Sequence, residues 1–307
     1  MIKRKIVLAG GTGNIGQLLI ADLIALGYEI HVLTRSNTQI QDKNINYVHW
    51  DGEHIDEWIN VLEGIDTLIN LSGKSIQCRF TEKNKKELLE SRLFPTRILG
   101  EAIQRLHSPP RLWINFSGIS IFEGLGGQYD EDSTASSTTF LAGLTKSWEK
   151  VFFEGTTSST MKVCLRLSPV LSPKFGMFKE LYPLTKMGLG GKVGDGKQMI
   201  SWIHELDLLN LVKWLINHNA PSKLYHACAP LPVSNEIFMR DLRQAAGIKL
   251  GLPLPKLFAK IGAYFKGVES GMLLRNNSVY AKRPIQEGFE YHYPTTPLAF
   301  ENLTNII

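Results

Sequence analysis

The sequence predicts an α/β fold with a doubly wound parallel sheet and a smaller C-terminal cap lobe. Three observations lead there. An apolar run, Lys5-Ile6-Val7-Leu8-Ala9, meets the glycine turn Gly10-Gly11-Thr12-Gly13-Asn14-Ile15-Gly16, and an apolar pattern at helical spacing follows from Gln17 to Gly27. Strand-like and helix-like segments then alternate as far as Leu167. After Pro173 the alternation stops: glycines crowd residues 188–196, and Pro230, Pro232, Pro253, Pro255, Pro284, Pro294 and Pro297 punctuate the rest.

The elements follow in order. Glu29–Thr34 and Ile45–Trp50 read as the second and third strands, and Asp66–Leu71 as the fourth. A basic amphipathic helix covers Glu82–Leu106. Arg111–Phe116 is a fifth strand, Thr139–Phe153 a helix and Met161–Leu167 a sixth strand. Trp202-Ile203-His204 and a helix over Asp207–Ile216 come next. A βαβαβ order of this kind gives a Rossmann-type sheet with helices on both faces and ligands at the carboxyl ends of the strands. The expected division is a dinucleotide-binding domain over 1–173, with 197–229 returning to it, and a cap lobe from 174–196 and 230–307.

Composition narrows the class. The chain has 307 residues, 43 % of them hydrophobic, as in a folded globular protein. Its net charge is +5, with the basic residues scattered. The densest group, Lys83, Lys85 and Lys86, reads as a solvated helix face, and no nucleic-acid motif accompanies it. Cys78, Cys164 and Cys228 are odd in number and far apart, which argues against a disulfide framework or zinc site and fits a reducing cytoplasm. No signal peptide is expected before the first strand, and no run reaches the roughly 20 apolar residues of a bilayer span. The apolar stretch Leu252–Phe265 reads as a docking helix. The histidines have no metal-ligand spacing, and no Gly-x-Ser-x-Gly elbow supplies a hydrolase nucleophile.

The glycine turn carries the strongest chemical signal. Glycines let the backbone turn tightly beside a pyrophosphate, and the following helix offers free N–H groups and a positive dipole end. Gly10, Gly11, Thr12, Gly13, Asn14, Ile15 and Gly16 are therefore cofactor-binding candidates. An acid at the end of the second strand would favour NAD. Thr34-Arg35-Ser36 stands there instead, and a guanidinium matches a 2′-phosphate, so NADP(H) is the expected cofactor. A surface arginine without a ligand is the alternative.

These motifs extend along the chain, through Asn70-Leu71-Ser72-Gly73, Ser91-Arg92, Thr96-Arg97, Trp148-Glu149 and Arg166-Leu167-Ser168-Pro169-Val170-Leu171. They continue with Gly194-Asp195-Gly196-Lys197-Gln198, Ser201-Trp202-Ile203-His204, Asp207, Ala229-Pro230-Leu231-Pro232-Val233-Ser234-Asn235 and Gly288-Phe289. In these the chain resembles the epimerase-like branch of atypical extended short-chain dehydrogenase/reductases. The resemblance implies NADP(H) across the strand ends, with Leu71, Ser72, Gly73, Arg92 and Arg166 joining the cofactor site. It also implies a C-terminal lobe closing over a small-molecule substrate. Arg79, Gln198, Ser201, Trp202 and His204 are the expected cleft residues, and a homodimer follows by analogy with the fold.

The chemistry that usually accompanies this fold is missing. The Tyr-x-x-x-Lys pair of short-chain dehydrogenase/reductases is replaced by Leu141 and Thr145. A second such string, Tyr182 to Lys186, contains Pro183, which is expected to break the helix. Where the resembling branch often has two tyrosines and a glycine, this chain has Ile121-Phe122-Glu123. Ser117, Ser120 and His204 remain as catalytic candidates and Glu123 as a carboxylate base, each with a structural alternative. Asn70 is expected to fix its strand end. Two functions stay open: an NADP(H)-dependent epimerase- or reductase-like enzyme acting on a nucleotide-linked sugar or similar molecule, and a catalytically silent NADP(H) sensor. A vestigial scaffold is a third.

Overall fold

The computed structural model describes residues 4–36, 44–218, 223–256, 269 and 275–307. A seven-stranded sheet organises them, built from β1 (Lys5–Ala9), β2 (Glu29–Thr34), β3 (Ile45–His49), β4 (Thr67–Asn70), β5 (Leu112–Gly118), β6 (Met161–Leu167) and a last strand, Lys223–Ala227. Lys223–Ala227 follows β6 in space, and the order is last strand, β6, β5, β4, β1, β2, β3, all parallel. The order reverses between β1 and β4, which opens a crevice at their carboxyl ends.

Helices cover both faces. On one side α1 (Asn14–Ala25) buries Leu18, Leu19, Ile20 and Leu23 against the sheet. On the other, α2 (Glu82–Arg105) and α3 (Phe140–Glu154) pack together over Trp113 and Phe152. Thr81 caps α2 and Thr139 caps α3, each hydroxyl accepting a backbone N–H of the first turn. Central strands β4 and β5 are buried on both faces, whereas edge strand β3 is half-exposed.

Beyond β6 come two-residue strands and the helices α4 (Gly176–Lys186), α5 (Glu205–Asn217) and α6 (Asn235–Ala245), with a short turn of helix at Arg283–Gln286. With α7 (Thr296–Asn305), α4 and α6 form a separate core of Phe178, Phe238, Met239, Leu242, Phe300 and Leu303. The expected cap segment 230–307 is divided. Val279 and Ala281 pack on Ile119, Ile121 and Phe122, and Phe289 lies in the core of the main sheet. The docking helix expected at Leu252–Phe265 falls largely outside the described residues. Its first part, Leu252 and Leu254, hydrogen-bonds to the 188–194 turn.

Two expectations are corrected. Pro183 does not break α4. The carbonyl its missing N–H would have met belongs to exposed Lys179, where water can take the bond. Tyr182 and Lys186 nonetheless have structural partners: Tyr182 stacks on Phe178 at 5.3 Å, and Lys186 Nζ donates to the Ala246 carbonyl at 3.3 Å. The second correction is the last strand of the sheet, which the segment reading did not include.

Candidate functional site

The glycine turn is shaped by close backbone approach. A Cβ on Gly16 would stand 2.2 Å from the Gly11 carbonyl oxygen, so α1 can start this near the turn only with glycine there. Gly10 has φ +76°, and a Cβ on it would meet the backbone of Leu71 and Ser72 at 3.0 Å. The end of β4 is thereby held against the turn, and Leu71 N–H donates to the Ala9 carbonyl at 2.8 Å. Thr12, Gly13 and Asn14 are exposed. Helix α1 has no side-chain cap and no acid in its first turn, so its first N–H groups face outward unblocked.

At the end of β2, Thr34 is buried and Arg35 and Ser36 are exposed. Thr34 Oγ1 accepts the Ser36 N–H at 3.1 Å, which shapes the turn that presents Arg35. Among the described residues Arg35 has no ion-pair partner.

Asn70 closes β4. Its Oδ1 accepts the Ser72 N–H at 3.0 Å, while its Nδ2 donates to Asn115 Oδ1 at 2.7 Å and to Thr96 Oγ1 at 3.1 Å. Trp148 Nε1 donates to the same Thr96 oxygen at 2.8 Å. The Ser72 hydroxyl, beside the glycine turn, is buried and has no hydrogen-bond partner among the described residues. Arg92 lies half-buried across Gly73. Its Nη1 donates to the Leu88 carbonyl at 3.0 Å and its Nη2 to the Lys74 carbonyl at 2.9 Å, with the Trp148 ring 5.2 Å from Cζ.

The end of β5 holds less reactive chemistry than expected. Ser117 is buried and donates to Glu149 Oε1 at 2.8 Å. Arg166 pairs with the same carboxylate and lies over the Phe122 ring, so the structure spends it on Glu149 rather than leaving it free for a cofactor. Phe122 is buried and stacks on Tyr129 at 4.8 Å, which turns the former phenol position into packing. Ser120 is half-buried. Its hydroxyl and that of Thr145 flank Gly118, at 4.0 and 3.9 Å from where a Cβ would stand. Glu123 is not a free base: Arg275 Nε approaches Oε1 at 2.6 Å, and Thr139 Oγ1 donates to Oε2 at 3.0 Å. Arg275, whose guanidinium also covers Phe80, was missed because it stands outside every motif.

Three expected cleft residues turn inward. Trp202 is buried in the core shared by α4, α6 and α7, with 1 % exposure. Ser201 Oγ accepts the Val279 N–H at 2.8 Å and donates to the Asn277 carbonyl at 2.9 Å, fastening the C-terminal segment. His204 has no exposed surface, caps α5 by accepting the Leu206 N–H on Nδ1 at 3.1 Å, and stacks on Tyr293 at 4.0 Å. Burial lowers its pKa to about 4, so it is neutral and out of reach of a substrate. Gln198 stays half-buried, its Nε2 donating to the Val193 carbonyl at 3.1 Å, and Arg79 is exposed beyond β4. A cavity of about 270 Å³ between α2 and α3, lined by Thr96, Arg97, Gly100, Trp113 and Glu154, takes in none of the cradle residues.

Cys78, Cys164 and Cys228 are free thiols. No helix of the described residues is long and apolar enough to cross a membrane, and no group of three or more His, Cys, Asp or Glu among them is placed to hold a metal.

A parallel sheet in this order, with a glycine turn and an unblocked helix N-terminus at its switch point, defines the extended short-chain dehydrogenase/reductase class. Residues 6–228 match the profile of the NAD dependent epimerase/dehydratase family, and the chain belongs to that family. It is 29 % identical over 308 residues to the Bacillus subtilis epimerase family protein YfhF, covering 97 % of each chain. It is also 29 % identical to the human epimerase family protein SDR39U1, over 97 % of this chain and 99 % of the relative. The crystal structure of human SDR39U1 (isoform2) with NADPH superposes with a TM-score of 0.87 at 28 % identity, covering 99 % of this chain and all of that one.

Proposed function

We propose that this protein binds NADP(H) across the carboxyl ends of β1, β2 and β4 and uses it in epimerase- or reductase-like chemistry on a small molecule, such as a nucleotide-linked sugar. The observation that carries the proposal is the pairing of the unblocked α1 N-terminus with the buried, partnerless Ser72 hydroxyl beside it. The residues fit the cofactor. Thr12 and Asn14 would take the pyrophosphate on backbone N–H groups, Ser72 would find its missing partner there, and Arg35 would take the 2′-phosphate. Human SDR39U1, solved with NADPH, supports the choice of dinucleotide.

Bound NADP(H) supplies a hydride donor or acceptor. The chain's own part is to orient it at the strand ends. Ser120 is the half-buried hydroxyl beside Gly118 that would position a substrate oxygen. Calorimetric titration with NADPH, NADP⁺ and NADH, in the wild type and Arg35→Ala, tests the reading; no binding of any of the three sinks it.

A second reading, a silent NADP(H) sensor, is favoured by the burial of Leu141, Thr145 and Phe122 where acid/base groups would stand. A panel of carbonyl compounds separates the two. Slow oxidation of bound NADPH by any member favours the enzyme, and none favours the sensor. The free thiols suit the cytoplasm. The open groove between α2 and α3 suits a homodimer, which sedimentation would detect.

A further inference from the structure

Among the described residues Arg92 is a cation without a counter-ion. Two carbonyls and the Trp148 face are its partners, and among the described residues no carboxylate reaches it. Burial brings the pKa of the Arg92 guanidinium down to about 10, and the Cys78 thiol is the ionisable group that bears on it. The guanidinium still has its Nε–H and the second hydrogen of each Nη unspent.

Its position is built. A Cβ on residue 73 would come within 3.0 Å of Arg92 Cζ and 3.2 Å of Nη2, so the guanidinium packs closely against β4's exit where Gly73 leaves room for it. Trp148 forms the other wall, and the buried Asn70–Thr96–Trp148 hydrogen bonds fix that indole. A planar fork clamped between a glycine and an indole loses little freedom when it meets an oxyanion.

We propose that Arg92, held between Gly73 and Trp148, is an oxyanion subsite that takes a carboxylate or phosphate group of the substrate. The inference rests on the NADP(H) reading, in which the dinucleotide's phosphates go to the α1 N-terminus and Arg35 and leave Arg92 for the substrate. It moves Arg92 from the cofactor site, where the family resemblance placed it, to the substrate.

The test is calorimetric titration of inorganic phosphate into the full chain, free and saturated with NADPH, for the wild type, Arg92→Gln and Gly73→Ala. Gly73→Ala keeps the charge but crowds the guanidinium, so it answers even if Arg92→Gln folds poorly; thermal melts check both. Phosphate should bind the NADPH-saturated wild type and weaken by about tenfold or more in each variant, as for a lost charged hydrogen bond. NADPH affinity should stay within about twofold. If phosphate instead competes with NADPH, and Arg92→Gln weakens NADPH by a similar factor, the oxyanion is the dinucleotide's and the proposal is overturned. Failure of phosphate to bind the wild type, or equal binding by all three proteins, overturns the proposal. A wild type that takes phosphate but no NADPH overturns the cofactor reading alone.

Discussion

Arg166 meets the Glu149 carboxylate side-on, Nε to Oε1 and Nη2 to Oε2, both at 2.7 Å. Ser117 Oγ donates to the same Oε1, so α3, β5 and β6 are tied at one buried carboxylate. Removing one partner of a buried pair strands the other charge in a medium that solvates it poorly. Glu149→Ala should therefore cost about 3–5 kcal/mol of unfolding free energy. Urea unfolding of the two proteins checks this. A loss under about 1 kcal/mol would mean that water reaches Arg166 and that the pair is not sealed.

The glycines of the turn should separate into two kinds. Gly16→Ala drives a methyl group to 2.2 Å from the Gly11 carbonyl oxygen and should disrupt the start of α1, lowering both the melting temperature and NADPH affinity. Gly13 has no neighbour closer than Gly10 O at 3.7 Å and no positive φ, so Gly13→Ala should fold like the wild type. Any loss of NADPH affinity in Gly13→Ala then reports a ligand against that residue. Equal melting temperatures for both variants would show that the turn tolerates a Cβ at residue 16.

Arg35→Ala should raise the NADPH dissociation constant by about 10- to 100-fold, the size of a lost charge-assisted hydrogen bond to phosphate. It should leave NADH within about twofold. Parallel titrations with the two dinucleotides read the difference directly, and an equal effect on both would place Arg35 away from the 2′-phosphate.

The nucleotide half of the fold was legible because its signals are local. β1, the glycine turn and α1 each need particular residue types in a continuous run. Lys223–Ala227 was not legible as a strand: its Lys-Leu-Tyr-His-Ala is neither an apolar run nor a clean alternation, and it is stabilised by pairing with β6 from far along the chain. The same limit governed the site. Asn70 could be placed at its strand end from its position alone. Trp202 and Ser201 look like cleft residues as letters, but their direction is set by α4, α6 and the 277–279 segment. Arg275 needed three segments to meet before its pairing with Glu123 existed.

His204 should make folding pH-dependent in a definite direction. Burial lowers its pKa from 6.5 to about 4, and its Nδ1 already accepts the Leu206 N–H, so a proton added there would face another donor. Between those values the unfolded chain holds a proton that the folded chain does not. The stability contribution is therefore full above about pH 6.5 and is lost as the pH falls toward 4, at up to about 1.4 kcal/mol per pH unit. His226, lowered by burial to about 3, acts in the same sense. Glu131 and Asp207, both raised by burial, act in the opposite sense: their native forms keep protons that the unfolded chain has already released. Comparison with His204→Asn removes these shared contributions, since asparagine preserves the cap but does not titrate. Urea unfolding at intervals from pH 7 to pH 5 should give a slope for His204→Asn that is shallower than that of the wild type by close to one proton. Parallel slopes would mean that the folded protein protonates His204 as readily as the unfolded chain, and that its ring is not sealed beneath Tyr293.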